Sequence, residues 1–597
     1  MAVSSTSDAP EKRLPGAPDP IGSVEFDPST FDALHDEFLS ESAGDGVVEE
    51  SHSPQTTFDK LLAGFPFPEI RPVQTKALEV VAASYDSGKQ VTIAELPTGS
   101  GKSPISIAAA AFAKGIHDAE PGAHILTSQN NLLTQMMNDF GHLGLVDVRG
   151  KANYRCEPHK TDCASGSACN PGSKPCANCP YKAAKDRFMA APVGITNYTY
   201  YLTEARYVQR IEPRSFLILD EAHNLEDEIL STVQVEITKS RAEELGVYLP
   251  NFGDDQRKVR EWLADSFVPK AQEYAGRIRA DIALAEKSMS PGLGFDDEVG
   301  GNSAAKKTLQ TLQKKLAGIM TLLGNVSAYL EDDGSGWLAW SEDRKNTLTI
   351  RPLSAASYAQ TYLFERSPNI LIMSATLLDP KTFQRSLGIN PANTNHYAAP
   401  SDFPKEHRRL VFWPSGSMGY KDIDATLPRI AKRTELIVEK YAESKGIIHT
   451  HSYKINKYLY EYFRTTKHRH RLITHESAPG DRERAIARHC TSEDATILLS
   501  PSMTEGLDLK DDLSRFQIIT KVPYPFLDPY TRARMERDDK WYQLKTALSL
   551  VQATGRSVRS KDDWAITVIL DSAFERFLIQ NQNILPDWWK EAIEFKG

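Results

Sequence analysis

Short apolar runs that end in polar or charged residues recur along the chain, and stretches of helical spacing separate them. Val91-Thr-Ile-Ala94 comes first, followed by a glycine-rich turn and Pro104-Ile-Ser-Ile-Ala-Ala-Ala-Ala-Phe112, which reads as a helix. His124–Asn130, Val193–Tyr198, Ser215–Leu219 and Asn369–Leu377 repeat the pattern of a buried strand with a polar carboxyl end. Gly446–His451, Ala495–Ser500 and Phe516–Thr520 repeat it again, with a helix over Tyr453–Arg464. Alternating βα units predict an α/β chain with two parallel-sheet domains. Between them, residues 240–335 change character. Leu309, Leu312, Leu316, Ile319, Leu323, Val326 and Leu330 recur at three-four spacing, and Phe267, Ala271, Tyr274, Ile278 and Ala285 form a second stripe. An antiparallel helical insertion fits, with a loop over Ser290–Ser303. Trp337-Leu-Ala-Trp340 and Thr347–Pro352 then read as strands returning to the sheet.

The first turn carries chemistry. Glu95-Leu-Pro-Thr-Gly-Ser-Gly-Lys-Ser103 places Thr98, Gly99, Ser100 and Gly101 where backbone N–H groups can cradle phosphate oxygens. Lys102 is placed for the β/γ-phosphates and the Ser103 hydroxyl for Mg²⁺. The strict pattern has a glycine where this chain has Leu96. The later strand Ser215-Phe-Leu-Ile-Leu delivers Asp220 and Glu221, the first as the Mg²⁺ partner and the second to orient and deprotonate the attacking water. Upstream, Arg71 and Gln74 form an Arg-x-x-Gln pair at the position of an adenine contact. Downstream, Gln552, Arg556 and Arg559 share a helix face, so the arginines can stabilise charge developing on the γ-phosphate. Ser374-Ala-Thr376 offers hydroxyls that can couple an ATP-side carboxylate to a neighbouring surface. Thr127 and Ser128 can donate to a nucleic-acid backbone or cap a helix.

Charge changes the picture only locally. The net charge is −9 over 597 residues. Residues 1–57 hold twelve acidic residues against Lys12 and Arg13, so this segment carries −10 and the remainder is near neutral. Its composition predicts a mostly disordered tail, with a short amphipathic helix over Phe26–Leu39 as a candidate protein-docking motif. A near-neutral body is compatible with a basic groove. No run is long and apolar enough to span a membrane, and the first residues lack the pattern of a signal peptide, which predicts a cytoplasmic protein with a nuclear one as alternative. Five of the six cysteines, Cys156, Cys163, Cys169, Cys176 and Cys179, sit in one loop of Gly, Ser, Pro, Asn and Asp. Such a loop cannot build its own core, and four thiolates on a metal would order it. Cys156 and Cys179 bracket the loop; which two of the inner three complete the set is open.

The order of these motifs resembles the XPD/DinG family of superfamily 2 helicases over residues 58–590. The most specific part is the Asn153-Tyr-x-Cys156 to Cys179-Pro-Tyr181 loop, between the phosphate loop and Asp220-Glu-Ala-His-Asn224. A hydrophobic residue at the Leu96 position is tolerated in that family. The resemblance implies RecA-like motor domains, with ATP bound and hydrolysed by Lys102, Ser103, Asp220 and Glu221. Gly506 and Asp508 would line the cleft, and Arg556 and Arg559 would be the arginine fingers. It implies a [4Fe–4S] cluster, with zinc as the alternative, and an arch enclosing single-stranded DNA. The inner cysteines are spaced differently from better-known members, and no fused exonuclease domain fits into residues 1–57.

The expected organisation is a tail at 1–57 and a first motor domain at 58–145, 187–239 and 336–405. Insertions would follow at 146–186 (cluster) and 240–335 (arch), with a second motor domain at 406–597. The expected activity is that of a monomeric ATP-dependent DNA helicase, moving 5′ to 3′ by the resemblance, acting on single-stranded and forked DNA in a bacterial or phage-infected cell. Two alternatives are an RNA or RNA–DNA-hybrid helicase with the same motor, and a non-unwinding recruitment module.

Overall fold

The computed structural model describes residues 56–97, 99–116, 122–156, 161–163, 179–288, 301–332, 336–342, 346–401, 403–476, 478, 480–501, 509, 511–555, 558 and 563–596. The acidic segment before Thr56, Thr98, Cys169, Cys176, Gly506, Asp508, Arg556, Arg559 and residues 289–300 of the expected loop lie outside them. Folding starts at a capping box, where the Thr56 hydroxyl accepts from Asp59 N and the Asp59 carboxylate accepts from Thr56 N.

The strands in chain order are β1 (Val91–Glu95), β2 (Ala123–Thr127), β3 (Val146–Asp147), β4 (Arg155–Cys156), β5 (Thr161–Asp162), β6 (Val193–Asn197) and β7 (Phe216–Leu219). They continue with β8 (Val235–Thr238), β9 (Trp337–Glu342), β10 (Thr347–Pro352), β11 (Asn369–Ser374), β12 (Thr394–Ala398) and β13 (Arg408–Phe412). The last are β14 (Gly446–His449), β15 (Leu472–Thr474), β16 (Ile497–Ser500), β17 (Phe516–Ile519), β18 (Ala565–Ile569) and β19 (Ile593–Phe595). Helices that matter below are α1 (Pro72–Asp86), α2 (Lys102–Ile116), α3 (Leu225–Val233), α4 (Val268–Ser288), α5 (Gly301–Glu331), α6 (Ile423–Lys440), α7 (Pro529–Arg537) and α8 (Asp539–Thr554).

Two seven-stranded parallel sheets result, ordered β12-β1-β11-β7-β2-β6-β3 and β15-β16-β14-β17-β18-β13-β19. Their central strands are apolar throughout because helices cover both faces: Phe216–Leu219 and Ile497–Ser500 are buried at every position. One face of the first sheet packs on α1 and α2 through Leu78, Ile105 and Ala109, and the other on Tyr198, Leu225 and Leu363. The second sheet is covered by α6 on one side and by α8 with Phe574 and Trp589 on the other. Two parallel-sheet α/β domains were expected, and two are present.

The insertion is helical as read. Between α4 and α5, Ala271, Ala275, Ile278, Ile319 and Val326 share one buried cluster. The two helices run antiparallel: Arg279 near the end of α4 meets Met320, whereas Arg260 before α4 donates to the carbonyls of Tyr329 and Leu330.

One strand assignment is corrected. β9 and β10 do not return to the parallel sheet; β10 pairs antiparallel with β8 on one side and with β9 on the other, in a three-stranded sheet of their own. β8 buries every second residue, and Leu348 and Ile350 of β10 turn to the helical pair, so the small sheet shares the core of the insertion.

Beneath the second sheet, His489 is fully buried. Its Nε2 is 2.9 Å from Leu513 O and its Nδ1 is 2.8 Å from Thr496 Oγ1, which satisfies a neutral ring. Burial pushes the imidazole down to about 4 from its ordinary 6.5. The unfolded chain therefore takes up a proton below pH 6.5 that the folded chain refuses until about pH 4. Stability is lost across that window as pH falls, by up to ~3 kcal/mol from this group. A His489→Gln variant should lose less urea stability between pH 6.5 and 4.5 than the parent; parallel losses would remove His489 from the acid response.

Candidate functional site

In the order β1-β11-β7, Glu95 lies opposite Ser374 and Leu219 opposite Ile372. Glu95, Ser374 and the Asp220-Glu221 pair after Leu219 thus share one carboxyl edge, where parallel sheets place ligands.

The turn after β1 is held from behind. Gly99 and Gly101 take φ of 82° and 81°, a region that penalises any side chain. A Cβ on Gly101 would stand 2.3 Å from Gln74 Nε2. Gln74 is buried; its Nε2 donates to Gly101 O (3.1 Å) and its Oε1 accepts from Arg71 N (2.9 Å). Arg71 Nη1 donates to Gly99 O at 2.6 Å. The Arg-x-x-Gln pair is therefore brought to the loop, where it clamps two carbonyls and turns the opposing N–H groups outward. Ser100 folds back on Pro97 O. Leu96 is fully buried in the core beneath α2, which is what a side chain gains there over glycine. Lys102 and Ser103 open α2.

Glu95 has a second task. Its Oε1 accepts from Leu377 N (2.9 Å) and Leu378 N (3.0 Å), tying β1 to the loop after β11. Burial raises its carboxyl above the usual range, and the two amides pull it back.

Asp220 is buried, with Tyr198 donating to its carbonyl at 2.7 Å. Burial and then the neighbouring Glu221 push its carboxyl up, while Lys102 pulls it down. Its Oδ1 has no hydrogen-bond partner. A buried oxygen-donor carboxylate with an unused lone pair, across from the Ser103 hydroxyl at a helix start, fits Mg²⁺ as the compensating charge. Glu221 is held at φ 51°, a costly conformation for a glutamate that turns its carboxylate back towards the loop. Lys102 Nζ is 3.5 Å from Glu221 Oε1.

From Glu221 a polar chain runs to the second domain. Glu221 Oε2 is 3.4 Å from His223 Nδ1, which is 3.0 Å from Ser374 Oγ. Ser374 Oγ accepts from Thr376 N at 3.2 Å, and Gln552 Nε2 on α8 reaches Thr376 Oγ1 at 3.5 Å. Lys102, Glu221 and Gln552, far apart in sequence, are therefore linked.

The family model described as "Type III restriction enzyme, res subunit" matches residues 67–245, and "Helicase C-terminal domain" matches residues 436–592. The ATP-dependent DNA helicase DinG of Photobacterium profundum is 25% identical over 271 residues, 40% of this chain and 38% of that protein. The probable ATP-dependent helicase YpvA of Bacillus subtilis is 21% identical over 404 residues, 62% of this chain and 60% of that protein. A regulator of telomere elongation helicase 1 homolog of Caenorhabditis elegans is 29% identical over 108 residues, 15% and 11% of the two chains. The chain thus spans from about a tenth to three-fifths of the length of these curated relatives. In fold it is similar to a solved XPD helicase, with a TM-score of 0.59 at 15% identity over 89% of this chain and all of that one. Xpd4 of S. tokodaii gives 0.54 at 15% identity, over 88% and 100%.

The two family models and these relatives make the chain similar to helicases of the XPD/DinG kind.

The cysteine loop is described at its ends only. Cys156 ends β4, Cys163 follows β5 with its N–H donating to Tyr154 O, and Cys179 caps the helix Pro180–Ala190. Burial and then the neighbouring Cys179 push the Cys163 thiol up to about 11. Cysteine sulfurs at both ends of one loop are the donor type that a structural zinc or an iron–sulfur centre takes. The described residues alone do not assemble a metal-binding group. Among them, too, no helix is long and apolar enough to cross a membrane.

Of the tyrosines near the loop, Tyr198 is fully buried and serves Asp220; it has no face for a base. Tyr154 and Tyr181 pack edge-on at 5.5 Å and close the loop's base. Thr127 and Ser128 do not cap α-helical N–H groups: the helix Asn130–Phe140 starts from Gln129 without a side-chain bond, and the buried Thr127 hydroxyl has no partner.

Reading the sequence missed Glu95, His223 and a buried ion cluster. Glu226, in the first turn of α3, accepts from Arg534 Nη2 of α7 (2.5 Å) and Trp541 Nε1 of α8 (3.0 Å). Lys545 Nζ bridges Glu226 (3.4 Å) and Asp227 (2.7 Å). Arg351 reaches Asp227 and stacks over Tyr530 of α7. Glu226 follows the Asp220–Asn224 segment directly, which is a signal of position, but nothing in the sequence names its partners. Glu226→Ala should strand Arg534 and cost about 3–5 kcal/mol, read as a fall in the urea midpoint. The paired apolar variant Glu226→Met/Arg534→Met should recover most of that; if both lose equally, the ion pair is not what fastens the domains.

Proposed function

We propose that this chain is an ATP-dependent helicase that translocates on single-stranded DNA, 5′ to 3′, and separates the duplex ahead. The observation that carries the reading is the polar chain from Lys102 and Glu221 through His223, Ser374 and Thr376 to Gln552. A phosphate site alone says nucleotide. A phosphate site wired to a second parallel-sheet domain says that the occupant of the loop sets the spacing of the two domains.

The steps follow from the residues. Backbone N–H groups of Gly99–Gly101 and Lys102 take up the β- and γ-phosphates, with Arg71 and Gln74 keeping the loop carbonyls turned away. Ser103 and Asp220 would hold Mg²⁺, which supplies charge neutralisation at the transferring phosphoryl group. Glu221 orients water and accepts its proton, and His223 then transmits the change at Glu221 to Ser374. Arg556, Arg559, Gly506 and Asp508 would complete the site from the second domain. Each closure brings the strand-end loops of the two domains together, so a backbone gripped at Ser128 and at the second domain advances. A [4Fe–4S] centre on Cys156, Cys179 and two of Cys163, Cys169 and Cys176 would stiffen the loop as a strand-separating wedge. Zinc is the alternative metal. An RNA or hybrid substrate would use the same backbone grip, and the printed name of the DinG relative, a DNA helicase, favours DNA.

Lys102→Ala should keep single-stranded DNA binding and lose DNA-stimulated hydrolysis and unwinding of a fork with a 5′ tail. Undiminished hydrolysis would remove Lys102 from the site. Greater stimulation by RNA than by DNA would give the RNA reading precedence, and a parent protein with no nucleic-acid-dependent hydrolysis would leave only a recruitment module.

Protein purified without oxygen should be brown and carry about four iron atoms. A colourless preparation with one zinc would replace the cluster by a zinc site.

A further inference from the structure

The second domain carries a basic cleft that the motor reading does not use. It lies at the carboxyl end of β13, where Pro414, Ser415 and Gly416 bend away and α6 crosses in front. Arg429, Lys432, Arg433 and Leu436 stand at i, i+3, i+4 and i+7 on α6, one stripe facing that bend. The cleft they line is open and measures about 380 Å³.

Its charge is unbalanced. Among the described residues, none of Arg429, Lys432 and Arg433 has a carboxylate within ion-pair distance, and the acids of α6 are engaged on its other sides. Asp424 pairs with Lys454, Glu435 accepts from Tyr462, and Glu439 holds Lys467 and His468. Arg433 is pinned: it donates to Pro414 O (3.1 Å) and stacks at 4.3 Å on Trp413, whose ring also carries Lys596 Nζ at 3.8 Å. Gly416, at φ 121°, lets the bend approach Arg429, since a Cβ there would stand 2.7 Å from Arg429 Nη2. Arg429 and Lys432 are exposed. On the segment that leads from Gly416 into α6, Tyr420 projects with 96% of its surface free, and in the cleft Leu436 with 53%.

Cations in a row and a free aromatic ring are features that hold single-stranded nucleic acid, by backbone charge and by stacking. We propose that the cleft of Arg429 and Lys432, with the exposed Tyr420 on the segment that leads into α6, is an accessory subsite for the sugar–phosphate backbone and one base of a single strand that extends beyond the motor core. The proposal rests on the nucleic-acid motor reading above.

The test uses the full chain and fluorescent oligothymidylates of increasing length. Arg429→Glu/Lys432→Glu should bind a strand of about eight nucleotides, within the range of one core site, as the parent does. It should bind a strand about twice that length more weakly. Two lost phosphate contacts should make the salt slope shallower by about 1.4, so the parent's advantage should shrink about sevenfold between 50 and 200 mM salt. Tyr420→Ala should weaken the long strand and leave the slope unchanged. Hydrolysis at saturating DNA should stay at the parent level in both variants. Equal binding of parent and charge-reversed variant at every length would overturn the subsite and assign the cleft to another polyanion. A parent that binds no nucleic acid at all would overturn the motor reading itself, and the subsite with it.

Discussion

The two sheets act on one another because a carboxylate without access to water holds them together. Glu226 and Arg534 are both almost fully buried, 2.5 Å apart, on elements that belong to different sheets. A buried ion pair adds little net stability over a well-packed apolar contact, but removing one partner strands a charge and costs about 3–5 kcal/mol. The consequence is specificity of placement. Trp541 fills the second oxygen of Glu226 and Lys545 the remaining field, so α7 and α8 are held against α3 through several groups at once. Tyr530, against Trp340 and donating to Pro352 O, adds the three-stranded sheet to the same junction. The sheet that failed to join the parallel one therefore has a place in the design.

The nucleotide edge obeys a different rule. There the charged groups are left short of partners: Asp220 Oδ1 has none, and Glu221 sits in a strained backbone conformation. These costs are carried by the surrounding bonds from Tyr198, Gln74 and the two amides on Glu95. An edge so arranged is poised for a cation and a polyphosphate, which would relieve the mutual repulsion of Asp220 and Glu221. Electrostatic need in one place and paired charge in the other separate the reacting site from the fastening.

What the sequence disclosed follows the same division. The phosphate loop, the Asp220-Glu221 strand end and the Arg-x-x-Gln pair were legible because each depends on residues close in the chain and on one local geometry. The parallel strands were legible from their unbroken apolar runs, and α4–α5 from their seam. Glu226 and Arg534 were not: they stand 308 positions apart, and an acid in the first turn of a helix reads equally as an ordinary dipole partner. Aromatic type says nothing of direction, and the register of Tyr198 turns it inward. Leu96 looked like a defect because the glycine pattern describes backbone freedom and not the core beneath. β9 and β10 were misplaced because their partner, β8, lies across the whole insertion.

Two of the links between the domains differ in strength, and that difference bears on how they can move. Breaking the Glu226 cluster exposes or strands several charges, whereas the 3.5 Å bond between Gln552 and Thr376 is worth no more than about 1 kcal/mol. Both lie on α8, with Lys545 and Gln552 two turns apart. The motion of least cost keeps Trp541 and Lys545 seated on α3 and lets the far end of α8 swing, so that Gln552 makes or leaves Thr376. α3 begins immediately after Asn224, so the fixed point is anchored to the same segment that presents Asp220 and Glu221. Glu221 thus lies five positions from Glu226 at the fixed end, and Gln552 lies at the end that is free to move.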